Sequence, residues 1–322
     1  NMSVADKRKQ GEDTFTTRSS YTQKKRRGDR KDGWILKDLS PFTKLIPHLM
    51  PSRNSSAIYF KEKVDVTLFV RYLEKKNEEL SLTPVKTAQG TVDRITYFNL
   101  FLTALVRLFT LKPHLNRFIA GRNFYQRKKI EVAFVAKKEF TEEGEETVVK
   151  ESFQRDETLW DIVSRLNKQI RTVKTGDTDD ATDLLNLFAG FPKPVVQLAI
   201  KALDLLNYLG RYPKDIYRAD PMHASVFVTN LGSIGLRKVP YHHLYDRGTN
   251  SVFICLGEIH QDRVLDDKTG EMVERYVVEI STTIDERISD GFYFIRAMNK
   301  FKEILNNPQL LEEQLTDYPV DQ

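Results

Sequence analysis

Residues 95–112, ITYFNLFLTALVRLFTLK, are the most strongly apolar stretch of the chain and stop against Pro113. The run is too long for an ordinary strand. It is interrupted by Arg107 and falls short of the roughly 20 residues that cross a bilayer. What remains is a helix apolar on all sides, and such a helix needs other elements packed all round it. The rest of the chain must supply that wrapping.

The flanking segments carry the required patterns. SAIYFKEKVDV (56–66) alternates and is rich in β-formers, so it is expected as a strand. DVTLFVRYLEKKNEEL (65–80) has Leu68, Phe69, Tyr72 and Leu73 at helical spacing, with Asp65 or Thr67 as the N-cap. IEVAFVAKKEF (130–140) reads as a strand, TEEGEET (141–147) as a turn and ETVVKESFQR as a weaker strand. Helices are expected over 157–173 and 192–210, the second closed by Gly210. Pro47 and Pro51 argue against a long helix in GWILKDLSPFTKLIPHLMP, where the ordered part is expected to begin. After Pro221 come three β-rich runs, HASVFVTNLGSIGL, NSVFICLGEIH and ERYVVEISTTID, with DDKTG as a hairpin tip before the third. A last helix spans about 291–307. Strands and helices cluster instead of alternating, which favours an α+β layered fold over a doubly wound one.

Composition narrows the function classes. Hydrophobic residues make up 40% of the 322, with 19 Phe and 13 Tyr, enough for a sizeable core. The net charge of +5 comes from Lys7 to Lys31, in KRKQ and KKRRGDRK. Residues 1–33 are therefore expected as a basic, disordered tail, and 34–322 as the folded domain with a short acidic extension. Nonspecific anion binding by the tail is an alternative role. The single cysteine, Cys255, excludes an intrachain disulfide and a multi-cysteine metal site, and is expected as a buried apolar residue. With no apolar leader or membrane span in view, the expectation is a cytoplasmic protein.

The order of motifs in the last third is more specific. SVFVTNLGSIG, NSVFICLGEI, and STTIDERISDG followed by a helix and NNPQLL resemble the catalytic domain of the dihydrolipoamide acyltransferases of 2-oxo-acid dehydrogenase complexes. Chloramphenicol acetyltransferase is similar in fold. In that family the segments run as TISNLG, AILGVG and DHRxxDG, then NPxxLL. IYFKEKVDVTLFVRYLEKKN and the Pro113-to-Asn116 turn after the apolar run also fit, so the resemblance covers about 45–311. It implies a two-layer sandwich of a mixed sheet with helices on one face, assembled as a trimer with active sites between subunits. It also implies coenzyme A or acyl-CoA as substrate, and no metal.

The same resemblance places the site residues. Thr229, beside Asn230, matches the hydroxyl that binds the tetrahedral oxyanion. Asp290 and Gly291 match an Asp-Gly pair whose aspartate is largely structural. Asp285 and Arg287 match the residues flanking the catalytic histidine, and that histidine falls on Glu286. A glutamate near 4.3 is about 2 pKa units less basic than a histidine near 6.5, a handicap of roughly 3 kcal/mol, or on the order of 100-fold, in taking a thiol proton. Three readings of Glu286 follow. It is a working base for an altered acceptor, an alcohol or amine. It orients a relocated histidine, for which His242 and His243 in PYHHLYDRG are the candidates. Or the site is degenerate, leaving a trimeric scaffold that keeps the fold and binds CoA or an acyl carrier. His223 before the SVFVTN strand is a further histidine, read as structural. His242 and His243 also weakly suggest metal binding, but without supporting ligands.

Two departures shape the partners expected. The chain shows no lipoylation motif, and the segment before the domain is short and polar. The acyl group is then expected as acyl-CoA or on another protein's lipoyl arm. EEQLTDYPVDQ follows Leu310–Leu311, where the family chain stops and docks trimers into a cage. A trimer is expected, with a larger cage left open.

Overall fold

The computed structural model describes residues 16–17, 26–137, 146–175, 190–266 and 269–320. Its helices are α1 (Pro41–Leu49), α2 (Thr67–Leu82), α3 (Tyr97–Leu111), α4 (Leu159–Thr175), α5 (Lys193–Tyr208), α6 (Lys214–Ala219) and α7 (Gly291–Asn306). Its strands are β1 (Thr16–Thr17), β2 (Gly33–Ile35), β3 (Ala57–Asp65), β4 (Val85–Thr87), β5 (Gly90–Val92), β6 (Arg117–Ala120), β7 (Asn123–Arg127), β8 (Ile130–Lys137), β9 (Glu146–Phe153), β10 (Val226–Asn230), β11 (Val252–Leu256), β12 (His260–Leu265), β13 (Met272–Asp285) and β14 (Pro319–Val320).

Seven strands form one mixed sheet in the order β12-β13-β11-β10-β8-β9, with β3 also paired to β13. β10 runs parallel to both β8 and β11, and the remaining pairs are antiparallel. Alternation along each strand sends side chains to opposite faces. Val226, Val228, Val252, Ile254, Ile280 and Ile284 join the main core with α2, α3, α4 and α7. The apolar run is central to it: twelve consecutive residues of α3, Asn99 to Thr110, are buried. Phe227, Phe253 and Cys255 point the other way and are covered by Val239 and Leu244 of the loop after β10. The two-layer α+β fold with helices over one face of a mixed sheet is as expected.

Several local details differ from expectation. The last third contributes four strands to the main sheet, because the chain before the DDKTG tip forms β12 against β13. Residues 141–145 of the acidic turn and 267–268 of the tip lie outside the described residues, and Glu146 and Thr147 belong to β9. Val66 holds the N-cap position of α2, while the Asp65 carboxylate accepts from Thr67 N at 2.9 Å. A second sheet, β2-β7-β6, was not anticipated. Within the basic leader, Arg30 and Asp32 are buried as an ion pair at 2.8 Å, and Thr16–Thr17 pair with Pro319–Val320.

Candidate active site

β13 delivers the DERISDG segment. Asp285 pairs with Ala57 of β3 and donates its N–H to Ser251 O at 2.9 Å, which seals the carboxylate inside the protein at 0% exposure. A buried carboxylate requires cations. Arg287 supplies a bidentate grip, Nε to Oδ1 at 2.8 Å and Nη2 to Oδ2 at 2.7 Å. Arg53 stands behind at 4.0 Å and donates to the carbonyls of Tyr245 at 2.6 Å and Gly248 at 2.8 Å. Burial pushes the Arg53 guanidinium down to about 10, against the pull of Asp285. Arg53 thus ties the chain before β3, the end of β13 and the loop at 245–248 together.

Glu286 is left outside this cluster. It starts a short 3-10 turn, Glu286–Ile288, and is exposed, with no hydrogen bond or ion pair among the described residues. Asp290 is the N-cap of α7, accepting from Tyr293 N at 2.8 Å, and Gly291 opens the helix. Ser289 contacts His114 Nδ1 at 2.9 Å.

Thr229 and Asn230 lie at the other end of the sheet. The register sets Thr229 beside Cys255, and Cys255 beside Ser281 of β13. Glu286 is five residues past Ser281, so at about 3.3 Å per residue it sits roughly 16 Å further along. Within one chain the Thr229 hydroxyl and Glu286 do not meet. Thr229 is half-buried and its hydroxyl makes no hydrogen bond among the described residues. The backbone turns sharply after it: a Cβ on Gly232 would stand 2.4 Å from Gly257 O.

The histidines separate cleanly. His242 lies flat on Phe253, ring centroids 3.9 Å apart, and its Nδ1 donates to His243 O at 2.7 Å. That bond fixes the proton on Nδ1 and leaves Nε2 as the basic nitrogen. Burial lowers the His242 pKa. His243 Nδ1 likewise donates to Leu244 O at 2.9 Å. Neither histidine contacts Glu286. His223 is buried at 1% exposure, bonds Thr249 Oγ1 at 3.1 Å and lies tilted against the Tyr212 ring, centroids 4.5 Å apart. It belongs to a buried polar cluster with Asp220, Arg127, Glu131, Lys150 and Tyr217. Burial, then the neighbouring cations, hold His223 well below its ordinary pKa.

Arg53 is the site residue that sequence reading missed; it lies 232 positions from Asp285, and MPSRNSS carries no motif. Cys255 is buried as expected, its thiol pushed up by burial. Among the described residues no group of three or more His, Cys, Asp or Glu is placed to hold a metal.

The fold is that of the catalytic cores of dihydrolipoamide acyltransferases. A probable dihydrolipoamide acetyltransferase from Listeria monocytogenes superposes with a TM-score of 0.55 over 88% of this chain and 97% of that one, at 15% identity. The cubic core of the pyruvate dehydrogenase multienzyme complex gives 0.55 over 86% and 93%, at 13% identity. More particularly, residues 213–312 match the family model for 2-oxoacid dehydrogenases acyltransferase (catalytic domain). The dihydrolipoyllysine-residue acetyltransferase component of the pyruvate dehydrogenase complex of Mycoplasma capricolum subsp. capricolum is 31% identical over 119 residues. That match spans 36% of this chain and 25% of its relative, so the chain accounts for about a quarter of the relative's length. The resemblance read from the motifs is borne out.

Proposed function

We propose that the chain is an acyltransferase that takes an acyl group from a coenzyme A thioester, with its site completed between subunits of a homotrimer. The observation that carries this reading is the register. Thr229 and Glu286 stand at opposite ends of one sheet, roughly 16 Å apart along it at about 3.3 Å per residue. Two such ends from neighbouring copies can face each other across a shared cleft. There Glu286 accepts the proton of the acceptor's S–H, O–H or N–H as the acceptor attacks the thioester carbonyl carbon. The carbonyl π electrons move to oxygen, and the Thr229 hydroxyl donates to that oxyanion. When the oxyanion collapses, the C–S bond breaks and the leaving CoA thiolate takes the proton back from Glu286. If the acyl group arrives instead on a lipoyl arm carried by another protein, CoA is the attacking thiol and the dihydrolipoyl thiolate is the leaving group that takes the proton back.

The exposure of Glu286 favours a second reading. In one chain its carboxylate faces solvent, with no partner among the described residues to aim it at an acceptor. A trimer that keeps the fold and binds CoA without turnover fits that observation.

The deciding experiment follows thiol release from acetyl-CoA, with and without dihydrolipoamide and a panel of alcohols and amines. Native protein, Glu286→Gln, Glu286→His and His242→Gln are compared. Acceptor-dependent release that collapses in Glu286→Gln establishes the glutamate base. Collapse in His242→Gln instead moves the base to the loop. Silence from the native protein with release from Glu286→His establishes the disarmed cleft.

A further inference from the structure

α5 presents an apolar stripe to solvent. Val195, Leu198, Leu205 and Leu209 are 47%, 70%, 59% and 55% exposed, and Ala202 between them is exposed too. Helix geometry makes these five residues one line, because their spacings of 3, 4, 3 and 4 are those of a heptad seam. The opposite face holds buried Leu203 and half-buried Val196, Ala199 and Asn207. Lys193, Gln197, Lys201 and Asp204 lie on a separate, more polar strip that also carries the exposed side chains of Ile200 and Tyr208.

The stripe is held outward by specific contacts and does not result from loose packing. Arg30 donates to Asn207 O at 2.5 Å and to Asn207 Oδ1 at 2.7 Å, and is itself fixed by Asp32. Arg247 donates to Asp204 Oδ1 at 3.1 Å and to Asp220 Oδ2 at 3.0 Å. The end of the helix sits against the β6–β7 turn, where a Cβ on Gly121 would stand 2.6 Å from Tyr208 O. α5 also lies just before Pro213, where the acyltransferase family match begins. The stripe is therefore separate from the matched segment.

We propose that α5 is a two-fold contact, pairing antiparallel with α5 of a second copy across Ala202. The stripe is nearly palindromic about that residue. A two-fold axis there lays Val195 over the other copy's Leu209 and Leu198 over its Leu205. The smallest residue then falls where the helices must come closest. An isologous contact requires this kind of self-complementary patch. The area suffices: four half-exposed aliphatic side chains with Ala202 offer roughly 500 Å² per copy, so a pair buries on the order of 1,000 Å², near the lower bound for a specific interface. The pairing does not rest on the acyl-transfer reading.

Cys255 is the chain's only cysteine and is buried, so Ala202→Cys would provide the single accessible thiol. Under mild oxidation Ala202→Cys is expected to cross-link two chains. Gln197→Cys, on the polar strip, is expected not to. Sedimentation equilibrium should give an even number of copies for the native protein and at most half that number for Leu198→Glu/Leu205→Glu. An unchanged mass together with no cross-link at 202 overturns the pairing. So does a native monomer or odd oligomer whose binding to phosphatidylglycerol vesicles is lost in the double variant, since the stripe then serves a membrane surface. The double variant also reports on the trimer: three copies support that reading, and one copy removes it while leaving the helix pair standing.

Discussion

The Arg287 guanidinium closes on Asp285 through two hydrogen bonds, 2.8 and 2.7 Å long, and so turns away from Glu286 between them. Two of the three charged residues in DER are structural, and the middle one is left facing solvent. Arg287→Met would leave the Asp285 carboxylate buried with Arg53 at 4.0 Å as its remaining cation. Breaking one partner of a buried pair costs about 3–5 kcal/mol. Urea unfolding of Arg287→Met should show a loss of that size. Glu286→Ala, at an exposed position without partners among the described residues, should stay within about 0.5 kcal/mol of the native protein.

Thr229→Val keeps the shape of the side chain and removes the hydroxyl. If that hydroxyl meets the oxyanion, kcat should fall by about 10²–10³-fold, the usual cost of one such donor. KM and the urea midpoint should hardly move, since the Thr229 hydroxyl makes no hydrogen bond among the described residues. An unchanged kcat would remove Thr229 from the reaction.

How much of this was legible depended on how local each signal was. α3 was visible because every face is apolar, and α7 because Asp-Gly precedes an amphipathic run. The β2-β7-β6 sheet was hidden by its turn. Gly121 and Arg122 both have positive φ, 55° and 59°, as a tight hairpin turn requires. An arginine at the second position lacks the Asn-Gly signature that would have announced it. The site was legible as a motif and opaque as geometry. Nothing local records that β11 and β13 run antiparallel and so carry Thr229 and Glu286 to opposite ends. Arg53 was invisible for the same reason, being joined to Asp285 by the fold alone.

His223 should make the protein acid-sensitive. Burial keeps its folded pKa well below 6.5, so the folded state refuses a proton that the unfolded chain accepts. As pH falls below about 6.5 the unfolded state binds more protons, and stability falls with it. Above that value both states are neutral and the effect vanishes. Unfolding free energies of native protein and His223→Gln, measured from pH 7.5 down to 5, should diverge in slope only in the acid part. Parallel curves would place the titrating group elsewhere.

Lys150 acts in the alkaline range. Its ammonium is buried beside Glu131 at 3.6 Å and donates to Tyr217 O at 2.7 Å. Burial, the largest influence, lowers its pKa from 10.5 to about 8. Between those values the unfolded chain holds a proton that the folded protein has released, so stability rises with pH across that window. Below about pH 8 the cost of keeping the charge buried is complete, about 3 kcal/mol. Native protein should gain stability between pH 8 and 10 while Lys150→Met does not. A native curve that is flat there would rule the shift out.

Gly248 joins the two halves of the buried architecture. Its carbonyl accepts from Arg53 Nη2 at 2.8 Å, and the next two amides, Thr249 N and Asn250 N, both donate to Met222 O at 2.9 and 3.1 Å. Its φ of +85° is left-handed, and a Cβ there would stand 2.2 Å from that same Met222 oxygen. Gly248→Ala therefore meets both an unfavourable backbone region and a backbone atom that cannot move without surrendering two hydrogen bonds. The conformational cost alone is about 1 kcal/mol, and displacing Met222 O adds about 1 kcal/mol for each bond lost. The expected loss is about 3 kcal/mol by urea unfolding. Because Arg53 also contacts Asp285, the damage should reach the DERISDG turn. Amide exchange at Arg287, whose N–H donates to Asp285 Oδ1 at 3.2 Å, should accelerate in Gly248→Ala. Gly270→Ala, also at positive φ but with open space around its Cβ position, should cost only the conformational part and leave that exchange unchanged. Equal losses in the two variants would show that backbone strain, and not the contact with Met222, sets the cost at Gly248.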